Sequence, residues 1–343
     1  MTGVRARGED IRRFILGRVE KSPDDIASVT AQKFGITRQA VNKHLRRLVN
    51  EGALRHSGNT RARVYRLAAL AEWRQTYEIE SGLAEDVVWT QDVKSALGSL
   101  PDNVLSIWHY GFTEMFNNAM DHSVGSRISV HLKKTATTTE MLISDNGLGI
   151  FKKIQAAMGL LDERHSVLEL SKGKLTTDPN RHTGEGIFFT SRMFDSFDIL
   201  SGGVYFSHKF GDPEDWILEG SEVSGGTYVW MKINNHTART PKRVFDEYSS
   251  GDEYGFTKTV VPVKLAQYGE DMLISRSQAK RLLTRVELFK TVLFDFAEVQ
   301  SIGRAFADEI FRVFARQHPE IELIPIRTNS AVKRMVEMAR QGS

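Results

Sequence analysis

Cysteine is absent from all 343 residues. Disulfides and thiolate–metal sites are therefore excluded, and a reducing cytoplasm is the compartment that fits. Long apolar runs are missing too. A bilayer-spanning helix needs roughly 18 or more consecutive apolar residues, and no stretch of the chain supplies them. The first residues, MTGVRARGEDIRRFILGRVEK, break their apolar positions with charge every few residues, which is not the pattern of a secretory signal. Apolar residues make up 41% of the chain, enough for two or three domains of this length to bury cores of their own.

What is present is an uneven distribution of charge. Residues 1–67 hold 15 Lys+Arg against 6 Asp+Glu, a balance of +9, whereas the remainder holds 31 against 37, a balance of −6. A basic head on a mildly acidic body is the layout expected when one end meets a polyanion. The head reads as three helices. Ile11, Phe14, Ile15 and Val19 share one face of the first, over 9–20. The second is expected to start with Ser22 as cap and Pro23 at the first helical position, and to stop at Gly35. The third opens at Thr37 and puts Val41, Leu45 and Leu48 on one stripe, with Arg38, Gln39, Asn42, Lys43 and Arg46 on the other side. Residues 53–68 then read as strand, polar turn and strand, with Arg55, Arg61 and Arg63 exposed. This pattern resembles the winged helix-turn-helix domains of bacterial transcription regulators. The resemblance implies that the third helix reads base edges in double-stranded DNA while the arginines lie along phosphates.

Residues 70–100 read as helical and acidic, a linking segment. The helix that follows, NVLSIWHYGFTEMFNNAMDHS, is unusually polar on one side, where Glu114, Asn118, Asp121 and His122 cluster. Downstream, the strand TEMLISDNGLGI ends in Asp145, Gly147 and Gly149. Gly184 and Gly186 directly precede an apolar helix, and Gly226-Thr227 is expected to open a strand. Each piece has its own chemistry. Glycines at a helix N-terminus let phosphate oxygens reach backbone N–H groups. A carboxylate such as Asp145 at the end of a buried strand can accept from an exocyclic amine. An asparagine carbonyl suits Mg²⁺, and a glutamate one turn earlier can deprotonate water that attacks a phosphate.

In this order the motifs resemble the ATP-binding module shared by DNA gyrase B, Hsp90, histidine kinases and MutL (the GHKL type). They are E-x-x-x-N (Glu114, Asn118), D-x-G-x-G (Asp145, Gly147, Gly149), G-x-G (Gly184, Gly186) and G-T (Gly226-Thr227). The resemblance implies ATP and Mg²⁺ as ligands. It makes Asn118 the metal ligand and Asp145 the partner of the adenine amine, with Gly147 and Gly149 on the adenine–ribose wall. Gly184 to Gly186 would end a mobile lid (roughly 152–183), Thr227 would support the adenine end, and Glu114 would be the general base. Lys172, Lys174, Arg181 and His182 are the lid's candidate triphosphate contacts. Residues 70–100 hold no histidine, so the phosphoacceptor of a two-component kinase is missing from its expected place.

The last 80-odd residues alternate helix and strand, a small α/β layer with a final helix capped by Asn329 or Ser330. They resemble STAS-type domains of anti-anti-sigma factors, and more closely the STAS-like domains found behind such ATPase modules. Gly303, Arg304 and Ala305 stand where a phosphoswitch would carry an acid and serines. The expected fold is thus multidomain α/β. A winged-helix head (1–68), linking helices (69–100), an α/β-sandwich ATP-binding domain (101–236), a linker (237–255) and a STAS-like interaction tail (256–343) make it up. The function implied is a cytoplasmic, dimeric transcription regulator switched by ATP, with slow hydrolysis. A serine/threonine protein kinase of the anti-sigma type acting on a partner protein, and an ATP-driven DNA clamp, are the alternatives.

Overall fold

Three helices open the chain. The computed structural model describes residues 2–59, 63–176, 183–211, 216–249, 255–267 and 272–341, with backbone only for 2–6 and 216–224. Helices α1 (Thr2–Arg18), α2 (Ile26–Phe34) and α3 (Arg38–Asn50) precede an antiparallel pair, β1 (Leu54–Ser57) and β2 (Val64–Leu67). Thr37 caps α3 as expected, its hydroxyl accepting from the Ala40 amide at 3.2 Å. The start of α2 differs from the expectation at Ser22. The Pro23 carbonyl accepts from the Tyr65 amide (2.7 Å), which ties this stretch to β2 and leaves the helix to begin at Ile26. Ile15, Val19, Ile26, Val41, Leu45, Leu54 and Leu67 form a core that belongs to this head alone.

Residues 70–100 are not a helical linker. Ala71–Glu78 is a strand, β3, and only then does helix follow: α4 (Glu85–Val88), a π-helical turn (Trp89–Val93) and α5 (Lys94–Leu97). The signal for the strand was period two, with Trp73 and Tyr77 turned inward and Glu72, Arg74, Thr76 and Glu78 outward. Next come α6 (Asp102–His122), β4 (Arg127–Lys134), β5 (Thr138–Asp145), α7 (Ile150–Met158), α8 (Glu163–Lys172), α9 (Gly186–Met193), β6 (Ser196–Lys209) and β7 (Trp216–Asn234). The five strands form one antiparallel sheet in the order β3-β4-β5-β7-β6. Gly226-Thr227 therefore lies inside β7 rather than at its start. Helix α6 packs on this sheet through Val104, Ile107, Trp108, Phe112, Met115 and Phe116, all buried.

The stretch expected as a second linker carries α10 (Pro241–Glu247), whose Phe245 packs edge-on against Tyr110 and Phe189. Beyond it, a parallel sheet of order β10-β9-β8 is built from β8 (Lys258–Pro262), β9 (Thr291–Asp295) and β10 (Glu322–Ile326). Its helices are α11 (Arg276–Leu283), α12 (Arg304–Asp308) running through a π-helical stretch (Glu309–Phe314) into α13 (Ala315–Gln317), and α14 (Ser330–Gln341). Asn329 caps α14, its side-chain oxygen accepting from the Val332 amide (2.9 Å). Mixed α/β structure in several sheets is thus the fold class. No described helix is long and apolar enough to cross a membrane.

Central and C-terminal units share one continuous apolar core, running from Val88 through Phe188 and Phe256 to Ala339. A buried charge cluster sits in the same contact region. Lys172 is fully buried and donates to Glu169 Oε1 (2.7 Å) and to the Thr284 carbonyl (2.8 Å), while Arg285 Nη1 donates to Glu169 Oε2 (3.2 Å). Burial pulls the Lys172 ammonium below its ordinary range, and Glu169 opposes that shift. Removing the shared anion leaves the buried Lys172 and the half-buried Arg285 without their common partner. Glu169→Ala is expected to cost about 3–5 kcal/mol. A thermal melt of the full chain checks this: the main transition should drop sharply, and an unchanged midpoint would mean the cluster carries no stability.

Candidate functional site

Helix periodicity does the first work. Glu114, Asn118 and His122 are four residues apart, so α6 presents them in a row beside Met115 and Ala119, and all five line a cavity of about 260 Å³. Ile143 and Asp145 reach it from β5, Lys153 and Ile154 from α7, Leu170 from α8, and Thr227 and Val229 from β7. Leu175, Thr176, Thr183, Gly184 and Gly186 close the remaining side. Segments more than 100 residues apart in the chain thus meet at one concavity, with apolar walls and a few polar groups.

Asp145 is buried, and its Oδ1 accepts from the Gly147 amide at 2.8 Å. Burial raises the carboxyl above the ordinary aspartate range, against hydrogen bonds from Gly147 and from the Thr227 backbone and hydroxyl. The Thr227 hydroxyl oxygen also accepts from the Ile150 amide (3.1 Å), fixing the start of α7 against β7. Glu114 faces Gly186 so closely that a Cβ there would displace its carboxylate. Tyr110, one turn before Glu114, has its hydroxyl pushed well above the usual range by burial and then by Glu114 and Glu185. Glu185 itself is raised by burial, with Lys174 pulling the other way.

Of the residues singled out from the sequence, Glu114, Asn118, Asp145, Gly184, Gly186 and Thr227 line the cavity. Gly147 and Gly149 do not. Gly147 packs against the Ser123 backbone, and Gly149, at φ +90°, sits beside Ser201. Both shape the turn that follows Asp145. Much of the span expected as a lid is regular helix packed against its neighbours. Residues 163–172 are helix α8, with His165 through Lys172 buried, and Thr259 donates to the Lys172 carbonyl at 2.7 Å. Lys172 and Lys174 are both tied to the C-terminal unit: Lys174 Nζ donates to the Leu288 carbonyl (2.9 Å) and lies 4.9 Å from the Phe289 ring centre. Arg181 and His182 lie outside the described residues. The sequence reading missed Lys153, the one lysine or arginine among the described lining residues. Its Nζ donates to the His122 carbonyl (2.8 Å), and burial lowers its ammonium while Asp121 counteracts. The available signal was its position one turn into the helix that Gly149 opens.

In the head, Arg38, Gln39, Lys43 and Arg46 are exposed on α3, and Asn42 is half-buried. Arg55 is exposed on β1, whereas Arg63 is half-buried with its Nε unpartnered, against the expectation of an exposed arginine. Arg61 lies outside the described residues. No group of three or more His, Asp or Glu able to hold a metal ion exists among the described residues. A cation at Asn118 would therefore take one amide oxygen from this side chain and complete its shell from water and a bound anion, the habit of Mg²⁺ rather than of a structural metal.

A carboxyl whose folded pKa is raised contributes stability at low pH that is lost as pH rises through that folded value. Asp145→Asn removes this dependence. The difference between wild-type and variant melting temperatures should shift in favour of the variant as pH climbs from the ordinary carboxylate range to neutrality. A pH-independent difference would contradict the raised Asp145.

Comparison with known proteins bears on the tail. No curated protein matches the chain. The family described as a STAS-like domain of unknown function (DUF4325) matches residues 278–333, from α11 to the first turn of α14.

Proposed function

We propose that the cavity is an ATP site of the gyrase, Hsp90, histidine kinase and MutL type, and that the protein is a transcription regulator whose DNA binding is set by nucleotide occupancy. One observation carries this reading. Six residues chosen from four motifs, spread from Glu114 to Thr227, converge on a single cavity. Asp145 is the acceptor for the adenine amine, held in place by Gly147 and Thr227. Asn118 holds Mg²⁺, which would neutralise phosphate charge when bound. In the hydrolytic step Glu114 takes a proton from water as the water oxygen bonds to the γ-phosphorus. The bond from that phosphorus to the β–γ bridging oxygen breaks, and ADP leaves with the electron pair.

The DNA reading rests on α3, whose apolar stripe is buried while Arg38, Gln39, Lys43 and Arg46 remain exposed beside the β1–β2 pair. That arrangement supports a winged helix-turn-helix reading, with α3 as the recognition helix. A homodimer fits this reading, because two copies would match a two-fold operator. The STAS-like tail is the place for a protein partner.

Two tests follow from these assignments. DNA affinity is measured at one fixed salt concentration with Mg²⁺ alone, with Mg²⁺–ATP, and with Mg²⁺ and a non-hydrolysable analogue. Affinity or footprint should change with ATP and with the analogue alike, and Asn118→Ala should abolish the change. Identical binding in all three conditions would refute the nucleotide switch. In the same assay γ-labelled phosphate should pass to water, and its appearance on protein would instead favour the kinase. Separately, Arg46→Ala should weaken binding across sequences and reduce the slope of log affinity against log salt by about one unit. An unchanged slope would remove Arg46 from the phosphate contacts.

A further inference from the structure

The segment that closes the cavity enters it at Leu175 and Thr176 and returns at Thr183, Gly184 and Gly186. Its two ends are pinned together, the Leu175 amide donating to the Gly184 carbonyl at 3.1 Å. The C-terminal unit holds the upstream end as well. Arg285, from the loop after α11, donates from Nη2 to the Gly173 carbonyl (2.9 Å) and to the Lys174 carbonyl. From Nη1 it donates to Glu169 on α8, so one guanidinium spans the end of that helix and the first residues beyond it. Arg285 (φ +62°) and Lys174 (φ +52°) are both non-glycine residues in the left-handed region, a conformation that persists only where surrounding contacts enforce it. The Phe256 ring fills the space beside Gly173, and Phe289 and the Leu288 carbonyl receive the Lys174 ammonium. None of residues 284–289 lines the cavity.

We propose that Arg285 is a positioning residue for the pocket, and that through it the STAS-like unit senses whether the pocket is occupied; this rests on the ATP reading of the cavity. A ligand that orders or shifts the 173–176 backbone changes the geometry of two carbonyls that Arg285 holds. By linkage, any change at Arg285 must then alter ligand affinity. The charge at Lys174 extends the connection, since Glu185 lies within its field and follows Gly184 directly. The tail is therefore part of the site's control as well as a place for a partner.

The test uses the full chain with Mg²⁺ and the non-hydrolysable analogue AMP-PNP. Arg285→Lys keeps a cation beside Glu169, so the buried cluster stays balanced, but an ammonium cannot reproduce the fork across both carbonyls. Its affinity for AMP-PNP should fall by about tenfold relative to wild type. In wild type, AMP-PNP should also slow amide hydrogen exchange in peptides covering 284–289, which do not touch the ligand, and the variant should lose that slowing. A purely structural role would lower the melting temperature and leave affinity and ligand-dependent exchange as they are. Wild-type binding with an unaltered variant affinity, or with no slowing at 284–289, overturns the inference while leaving the ATP site standing. Absence of any nucleotide binding by wild type overturns both together.

Discussion

Helix α6 has to satisfy two environments at once, and the rest of the central unit is arranged around that demand. Trp108, Phe112, Met115 and Phe116 are buried in the core that the sheet and α9 complete. The neighbouring row, Glu114, Asn118 and His122, would be costly to bury without partners, so the space in front of it is kept open as a cavity. Close approach of α9 then brings Gly186 against the Glu114 carboxylate, and the turn after β5 requires Gly147 against the Ser123 backbone. Glycines selected for their possible contact with a ligand turn out to do much of their work by letting backbone pack against backbone around the polar row.

A second constraint joins the C-terminal unit to this arrangement. Once Lys172 is buried, its charge has to be met locally, and Glu169 and the Thr284 carbonyl meet it. Arg285 satisfies the other oxygen of Glu169 and two further carbonyls, so the shared contact is polar at its centre and aromatic at its edge, where Phe188, Phe256 and Phe289 pack. That combination specifies orientation as well as adhesion, because hydrogen bonds of this kind are satisfied in one register only. The head is attached differently. Its core is separate, and its one described ion pair with the sheet, Glu20 with Lys232 at 3.2 Å, is solvent-accessible. Such pairs contribute roughly 0–1 kcal/mol.

Much of the site was legible before any coordinates. Glu114 and Asn118 stood out because polar residues at helical spacing on an otherwise apolar helix need an explanation, and Asp145 because a carboxylate closed a buried strand. Thr37 and Asn329 were readable as caps for the same local reason. Residues 71–78 were misread because their inward positions are only Trp73 and Tyr77, and the flanking charge looks equally at home on a solvated helix. An edge strand declares itself through its partner, and β4 lies some 50 residues away. Within the expected lid span, the burial of His165 through Lys172 on α8 is a property of what surrounds that helix rather than of its own polar-looking sequence.

The sequence by itself determined the periodic features: which face of α3 and of α6 is apolar, where α3 and α14 start, and which residue types could meet a phosphate, an amine or a cation. These depend on neighbours within a few residues. Tertiary structure alone decided that Lys172 and Lys174 serve the contact with the STAS-like unit, that Lys153 borders the cavity, and that Arg285 holds the backbone leading into it. A long basic side chain satisfies its charge wherever an acceptor and a dry surface come within reach. For Lys172, Lys174 and Arg285 the acceptors include groups more than 100 residues away, which no local pattern records.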